Sequence, residues 1–184
     1  FTTTTNGFTV AFWINIPSNF PNYSTVLNLG VYNNFAIYYY NSYLYLNVNY
    51  LNNNNSAITT TGGLFYYDIS LNTNTWKHIA ISVLYNNLNG GTNSTFNLYL
   101  NGSLYRSLSS NYYIFVGNKT NNILGSIGLS FDDFRIYNKA LNATQITQIY
   151  MLKNGKVLFN NFSDSRTLYN IIDASALLMY YPFD

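Results

Sequence analysis

The chain has 184 residues, a formal net charge of +2 and 8% charged side chains, against 20 Tyr, 13 Phe and no Cys. Its length suits one all-β domain, because about 150 residues already bury roughly 70% of the surface an unfolded chain exposes. The scattered basic residues leave no footprint for nucleic acid, and no apolar run reaches the about 18 residues of a membrane span. The lack of cysteine excludes a disulfide framework and thiolate chemistry.

Tyrosine, Phe, Thr, Val and Ile favour pleated, half-buried surfaces, and Asn, which fills about one position in six, favours turns. The composition therefore describes strands joined by tight loops. Glutamate is absent; the acids are Asp68, Asp132, Asp133, Asp164, Asp173 and Asp184. Sequons stand at Asn22, Asn54, Asn93, Asn101, Asn118, Asn142 and Asn161, but so much Asn, Ser and Thr yields about as many by chance. Asn101 sits in an expected tight turn, a poor acceptor site. No signal peptide is legible, and the abrupt start at Phe1 is compatible with an excerpt from a longer chain.

Phe8, Val10, Phe12 and Ile14 alternate and predict a strand, closed by Pro17 and the Asn/Pro-rich stretch to Asn22. Residues 35–40 and 43–48 flank Asn41-Ser42, which suits a two-residue hairpin turn. Folding about that turn pairs Phe35 with Val48, Ile37 with Leu46 and Tyr39 with Leu44 on one face. The other face carries Tyr38 opposite Tyr45 and Tyr40 opposite Tyr43, so register and hydrophobic pattern agree. Residues 52–55 and 59–63 are loop-like, without the breadth of an interdomain linker. Trp76–Tyr85 is a central strand, and 86–93 a loop tip. Strands at 96–100 and 103–106 flank Asn101-Gly102, a strong type I′ hairpin signal. Further strands are expected at 112–117 and 128–137. One helix is expected at 142–152, capped by Asn142, with Ile146, Ile149 and Tyr150 on its apolar stripe and Asn154-Gly155 at its end. The sum is a two-sheet antiparallel β-sandwich with one short helix.

Four blocks in order carry a family resemblance: Phe8-Thr-Val-Ala-Phe-Trp-Ile14, Asn74-Thr-Trp-Lys-His-Ile-Ala-Ile-Ser-Val83, Leu98-Tyr-Leu-Asn-Gly102, and Gly128-Leu-Ser-Phe-Asp-Asp-Phe-Arg-Ile-Tyr-Asn-Lys-Ala-Leu141. Residues 8–155 resemble the laminin-G-like branch of the concanavalin A-like lectin/glucanase superfamily. The resemblance implies a jelly roll of two antiparallel sheets. It also implies an adhesive, carbohydrate-recognising or structural role, with glycoside hydrolysis on some branches and calcium on many.

One block is out of place. The family pattern opens with a strand like Leu177-Leu-Met-Tyr-Tyr-Pro-Phe-Asp184, which here ends the chain. Three arrangements are open for residues 174–184, beyond a sandwich of residues 1–173. Leu177, Leu178, Met179, Tyr180, Tyr181 and Phe183 belong to the next repeat of a tandem array, or fill their own sandwich by circular permutation, or are donated to a neighbouring subunit. An unfilled slot exposes a sheet edge, and the displaced order favours the first or third arrangement.

Retaining or inverting glycosidases need two carboxyl groups across the scissile bond. The glucanase branch supplies Glu-x-Asp-x-x-Glu, and this chain has no Glu. Asp132 and Asp133 are adjacent on a strand and are expected on opposite faces, so no catalytic pair is predicted. His78 is the lone histidine; with no nucleophile elbow it is expected, with Asp132 and Arg135, to be a buried structural polar group. Calcium is allowed through Asp68 or Asp133, though no ligand set is legible. The Tyr38, Tyr40, Tyr43 and Tyr45 ladder is the candidate functional surface: a covered stack, a protein contact or a sugar platform.

The leading expectation is a non-catalytic structural or adhesive module at an extracellular, cell or virus-particle surface. It would be a fibre repeat or filament subunit whose partner is itself, held by sheet-edge and Tyr-rich contacts. The alternative is a lectin-like domain whose partner is a glycan. Neither nucleic acid nor an inserted membrane is expected as a partner.

Overall fold

In strand β1 (Gly7–Asn15) the alternating Phe8, Val10, Phe12 and Ile14 share one face and are all buried. The structure is a computed structural model that describes residues 7–29, 35–48, 64–70, 73–85, 94–110, 123–124, 128–154 and 177–181. After β1 come β2 (Ser24–Leu29), β3 (Phe35–Tyr40), β4 (Tyr43–Val48), β5 (Leu64–Ser70) and β6 (Trp76–Tyr85). Then follow β7 (Ser94–Leu100), β8 (Ser103–Ser110), β9 (Ile123–Leu124), β10 (Ser130–Tyr137), the helix α1 (Ala143–Asn154) and β11 (Leu177–Tyr181). Strands β5, β9 and β11 are described by their backbone alone.

Two antiparallel sheets result. One has six strands in the order β11-β10-β1-β6-β7-β8, the other five in the order β5-β4-β3-β2-β9. Their facing sides share one core: Val10, Phe12, Ile81, Val83, Phe96, Leu98 and Ile136 from the first meet Leu27, Phe35, Ile37, Tyr39 and Leu46 from the second. Phe8 meets Phe35 edge-on across the gap, ring centroids 5.3 Å apart. Each such side chain, fully buried, stabilises the fold by about 1.5–3 kcal/mol, so the sheets are held chiefly by apolar burial.

The two hairpins form as the turn residues predict. Strands β3 and β4 pair Phe35 with Val48, Ile37 with Leu46, Tyr38 with Tyr45, Tyr39 with Leu44 and Tyr40 with Tyr43. Asn41 and Ser42 both take positive φ (49° and 67°), as do Asn101 and Gly102 (49° and 78°), the signature of type I′ turns. Strand β8 runs to Ser110, beyond the expected 106, because Phe96 pairs with Leu108 and Leu108 joins the core. Strands β2, β5 and β9 were not expected; each is short or weakly alternating and owes its existence to a partner strand. The strand expected at 112–117 and the loops at 52–55, 59–63 and 86–93 lie outside the described residues.

Helix α1 starts on a reciprocal cap: the Gln145 N–H donates to Asn142 Oδ1 and the Asn142 N–H donates to Gln145 Oε1, both at 3.0 Å. Ile146 and Ile149 are fully buried against Ala11, Ala80, Tyr99 and Tyr137 on the outer face of the six-stranded sheet. Side chains of the sheet pin the approach to the helix. Thr9 Oγ1 donates to the Lys139 carbonyl and accepts from the Leu141 N–H, and Ser82 Oγ donates to the Leu141 carbonyl. At the other end Thr147 Oγ1 donates to the Gly102 carbonyl at 2.8 Å. Helix α1 therefore covers part of the outer face of the six-stranded sheet, while Trp76 and Leu84 of β6 and Leu104 and Tyr105 of β8 stay exposed.

Strand β11 lies antiparallel beside β10 of the same chain, with Phe134 opposite Tyr181, Arg135 opposite Tyr180 and Ile136 opposite Met179. Residues 177–181 thus take the edge position beside β10 in the single chain; Phe183 lies outside the described residues.

Gly102 is the tightest joint between helix and hairpin. A Cβ there would stand 2.8 Å from Cδ1 of Tyr150, on a backbone with φ +78°. Gly102→Ala is expected to lower stability by about 1–3 kcal/mol, read as a shifted urea midpoint at constant slope.

Candidate functional site

Beneath α1 lies a buried polar cluster. His78 on β6 is 1% exposed and stands opposite Trp13 of β1. Its ring meets Trp13 edge-on at 5.4 Å and Tyr150 of α1 at 5.7 Å, while Trp13 and Tyr150 stack at 5.5 Å. The His78 backbone is clasped by Asn101: its N–H donates to Asn101 Oδ1 and its carbonyl accepts the Asn101 N–H. Neither ring nitrogen has a hydrogen-bond partner among the described residues, because aromatic rings occupy both sides. Burial, with the Arg135 guanidinium adding to it, holds the imidazole down to about 3 from its ordinary 6.5. An imidazole held that low is neutral and a weak base at neutral pH.

Arg135 bonds Asp133: Nη2 and Nε both donate to Asp133 Oδ1, at 2.7 and 3.0 Å. Burial alone would lower the Arg135 guanidinium, but the Asp133 carboxylate and Tyr137 outweigh it and the net direction is up. The expected opposite-face placement of Asp132 and Asp133 needs correction. Trp13 pairs with Asp132 and Ala11 with Arg135, so β10 carries one extra residue here, a bulge at which Asp133 takes φ 53°. Strict alternation breaks at that point, and Asp133 reaches Arg135 on the helix-covered face. No group of three His, Cys, Asp or Glu comes together among the described residues. Asp133 gives Oδ1 to Arg135, while its buried Oδ2 has no hydrogen-bond partner among the described residues; the side chain of Asp68, on β5, lies outside them.

The outer face of the five-stranded sheet is different. Tyr38 and Tyr40 on β3 and Tyr43 and Tyr45 on β4 alternate with the core-facing Ile37, Tyr39, Leu44 and Leu46, so all four share the outer face and are half-buried. Ala36 and Asn28, at the far end, are buried, so the face opens toward the hairpin turn. Burial raises the Tyr38 hydroxyl above its ordinary 10, and a hydrogen bond with Asn47 partly offsets this. Tyr40 and Tyr45 lie 6.0 Å apart at 48°.

A fifth ring completes the face. Tyr23, just before β2, is 75% exposed and stacks on Tyr40 at 4.3 Å and 30°. The two side chains also share a hydrogen bond, which raises the Tyr23 hydroxyl. Its backbone has φ 62°, a region that a bulky residue enters at a cost of about 1 kcal/mol or more. Two hydrogen bonds hold the turn: the Asn41 N–H donates to Asn22 Oδ1 at 2.9 Å, and Ser24 Oγ donates to the Pro21 carbonyl. Sequence periodicity could not find Tyr23, which sits in a turn; the only local signal was a Tyr following Pro21-Asn22.

The pH response of the buried cluster follows from sign. The unfolded imidazole protonates near 6.5 and the folded one near 3, so stability contributed by neutral His78 is complete above 6.5 and is lost as pH falls toward 3. The loss is expected to approach about 1.4 kcal/mol per pH unit in that window. Urea unfolding at stepped pH should show this slope, and His78→Phe should flatten it; an unchanged slope would contradict the assignment.

Comparison with known proteins places this geometry. No curated protein sequence matches the chain. Similar solved structures include the receptor-binding domain of a botulinum neurotoxin C/D mosaic serotype, 24% identical with a TM-score of 0.58 over 85% of this chain and 38% of that one. The receptor-binding domain of botulinum neurotoxin D is 22% identical, TM-score 0.57, over 83% and 39%. The binding domain of Paraclostridial Mosquitocidal Protein 1 is 22% identical, TM-score 0.53, over 82% and 38%. At these identities the likeness is one of fold, and the chain spans less than two-fifths of each of those structures. A laminin G family model, described as concanavalin A-like lectin/glucanases superfamily, matches residues 1–147, which take in β1 to β10 and the start of α1. The chain belongs to that laminin G family of the concanavalin A-like lectin/glucanases superfamily.

Proposed function

We propose that the chain is a non-catalytic, lectin-like module of a secreted or surface protein, and that it binds glycan on the outer face of its five-stranded sheet. The observation that carries this reading is Tyr23, an exposed aromatic ring kept on a left-handed backbone and stacked on Tyr40. Strain of that kind persists where the surroundings over-determine it, and it gathers at ligand clamps and active sites. Tyrosine suits a sugar, since its flat face meets the C–H side of a pyranose ring while its hydroxyl reaches the sugar hydroxyls. Family membership supports carbohydrate recognition, and the similar solved folds are named as binding or receptor-binding domains.

Filament assembly, the first expectation from sequence, drops to second place. It was motivated by the few charges, the abundant Asn and Tyr and the displaced terminal strand, and β11 lies beside β10 in the same chain. Catalysis has no support either: the chain lacks Glu, and Asp133 is held by Arg135.

Tyr23→Gly separates binding from folding. Glycine accepts φ 62° without strain, so stability is expected to stay or rise by up to about 1 kcal/mol. Binding to an immobilised glycan panel should fall about tenfold, the equivalent of one lost aromatic stacking contact. Persistent self-association in light scattering, with no glycan retained by the parent chain, would reverse the order of the two readings.

A further inference from the structure

The tyrosine face is uncharged over an unusual length of chain. The first charged side chain in the sequence is Asp68, so Tyr23 and strands β1 to β4 contain none. What the face offers is aromatic and amide or hydroxyl: Tyr23, Tyr38, Tyr40, Tyr43, Tyr45 and Asn47. Asp68 itself is an acid on β5, two residues before Ser70, the partner of Tyr43. The first basic residue, Lys77, belongs to β6 of the other sheet.

We infer that the ligand of this face is a neutral oligosaccharide whose rings present flat C–H faces, bound by stacking and hydroxyl hydrogen bonds without a metal ion. This inference rests on the glycan reading above and narrows it to a chemical class. A sialylated or sulfated glycan would have to give up hydration of its carboxylate or sulfate on a surface where the described residues offer no cation to replace it, a cost that neutral hydroxyls avoid. A calcium-bridged mode would need several oxygen ligands with carboxylates among them, and β2, β3 and β4 supply no carboxylate. The stack of Tyr23 on Tyr40, continued toward Tyr45, gives a stepped aromatic surface that suits consecutive sugar rings rather than a single terminal residue.

The test is calorimetric titration of the full chain with cellotetraose, a lactose-based neutral tetrasaccharide, sialyllactose and a heparin-derived tetrasaccharide. Each is run at low salt, at roughly 0.5 M salt, where surface electrostatics are largely screened, and with EDTA. Binding of a neutral probe that changes less than twofold with salt and EDTA, and that is lost in Tyr23→Gly, is the expected result. If an acidic probe binds about tenfold tighter than either neutral one, or EDTA abolishes binding, the neutral metal-free class is overturned while the glycan-binding module stands. If no probe binds, and a broad glycan panel retains nothing, the functional reading fails and takes this inference with it.

Discussion

Strand β1 lies at the middle of the structure with a buried side chain at every position from Gly7 to Ile14, and the rest of the fold follows from covering both of its faces. The core face needs a second sheet, because Phe8, Val10, Phe12 and Ile14 are too large to be satisfied by loops. The opposite face carries Thr9, Ala11 and Trp13. Small residues there, continued by Ala80 on β6, let helix α1 approach closely with Ile146 and Ile149. Thr9 and Ser82 then bond the 139–141 backbone, which would otherwise cross an apolar surface with unsatisfied polar groups. Helix α1 covers part of that outer face, and the tyrosines stand on the outer side of the five-stranded sheet.

That division of labour separates two kinds of polar chemistry. Under the helix, His78, Arg135 and Asp133 are buried, and their charges are settled internally: the histidine stays neutral and the arginine is matched to a bulge carboxylate. These groups define the packing of helix on sheet and do not face a ligand. On the far sheet, β2, β3 and β4 carry no charged residue, and Asp68 stands on β5. The hydroxyls of Tyr23 and Tyr38 are pushed up, by a shared hydrogen bond and by burial respectively. A surface of that composition suits the neutral glycan we propose for it.

The hairpins, the core alternation and the helix were legible because each is set locally, by a period or by a turn dipeptide. Asn41-Ser42 fixed the register that puts Tyr38 opposite Tyr45, and Asn142 with Gln145 fixed the helix start. The resemblance blocks likewise lie on β1, β6, β7 and β10, the central strands with strong alternation. What was hidden depends on contacts distant in sequence. Strand β2 exists because β3 pairs with it, and the cis placement of β11 beside β10 is a matter of topology. The bulge at Asp133 overrides alternation through one extra residue, a feature invisible to a period-two reading. Tyr23 escaped for the same reason: its position over Tyr40 is made by the Asn22 bond to the Asn41 backbone, nineteen residues along the chain.

The account turns on which face of the sandwich a glycan touches. The most direct measurement is an NMR titration of ring-labelled tyrosines in the intact chain with a neutral oligosaccharide. Shifts concentrated on Tyr23, Tyr40, Tyr43 and Tyr45, with Tyr99 and Tyr137 under the helix unmoved, are the predicted result. Shifts confined to the helix-covered sheet, or a bound sugar that leaves Tyr23 and Tyr40 unperturbed, would contradict it.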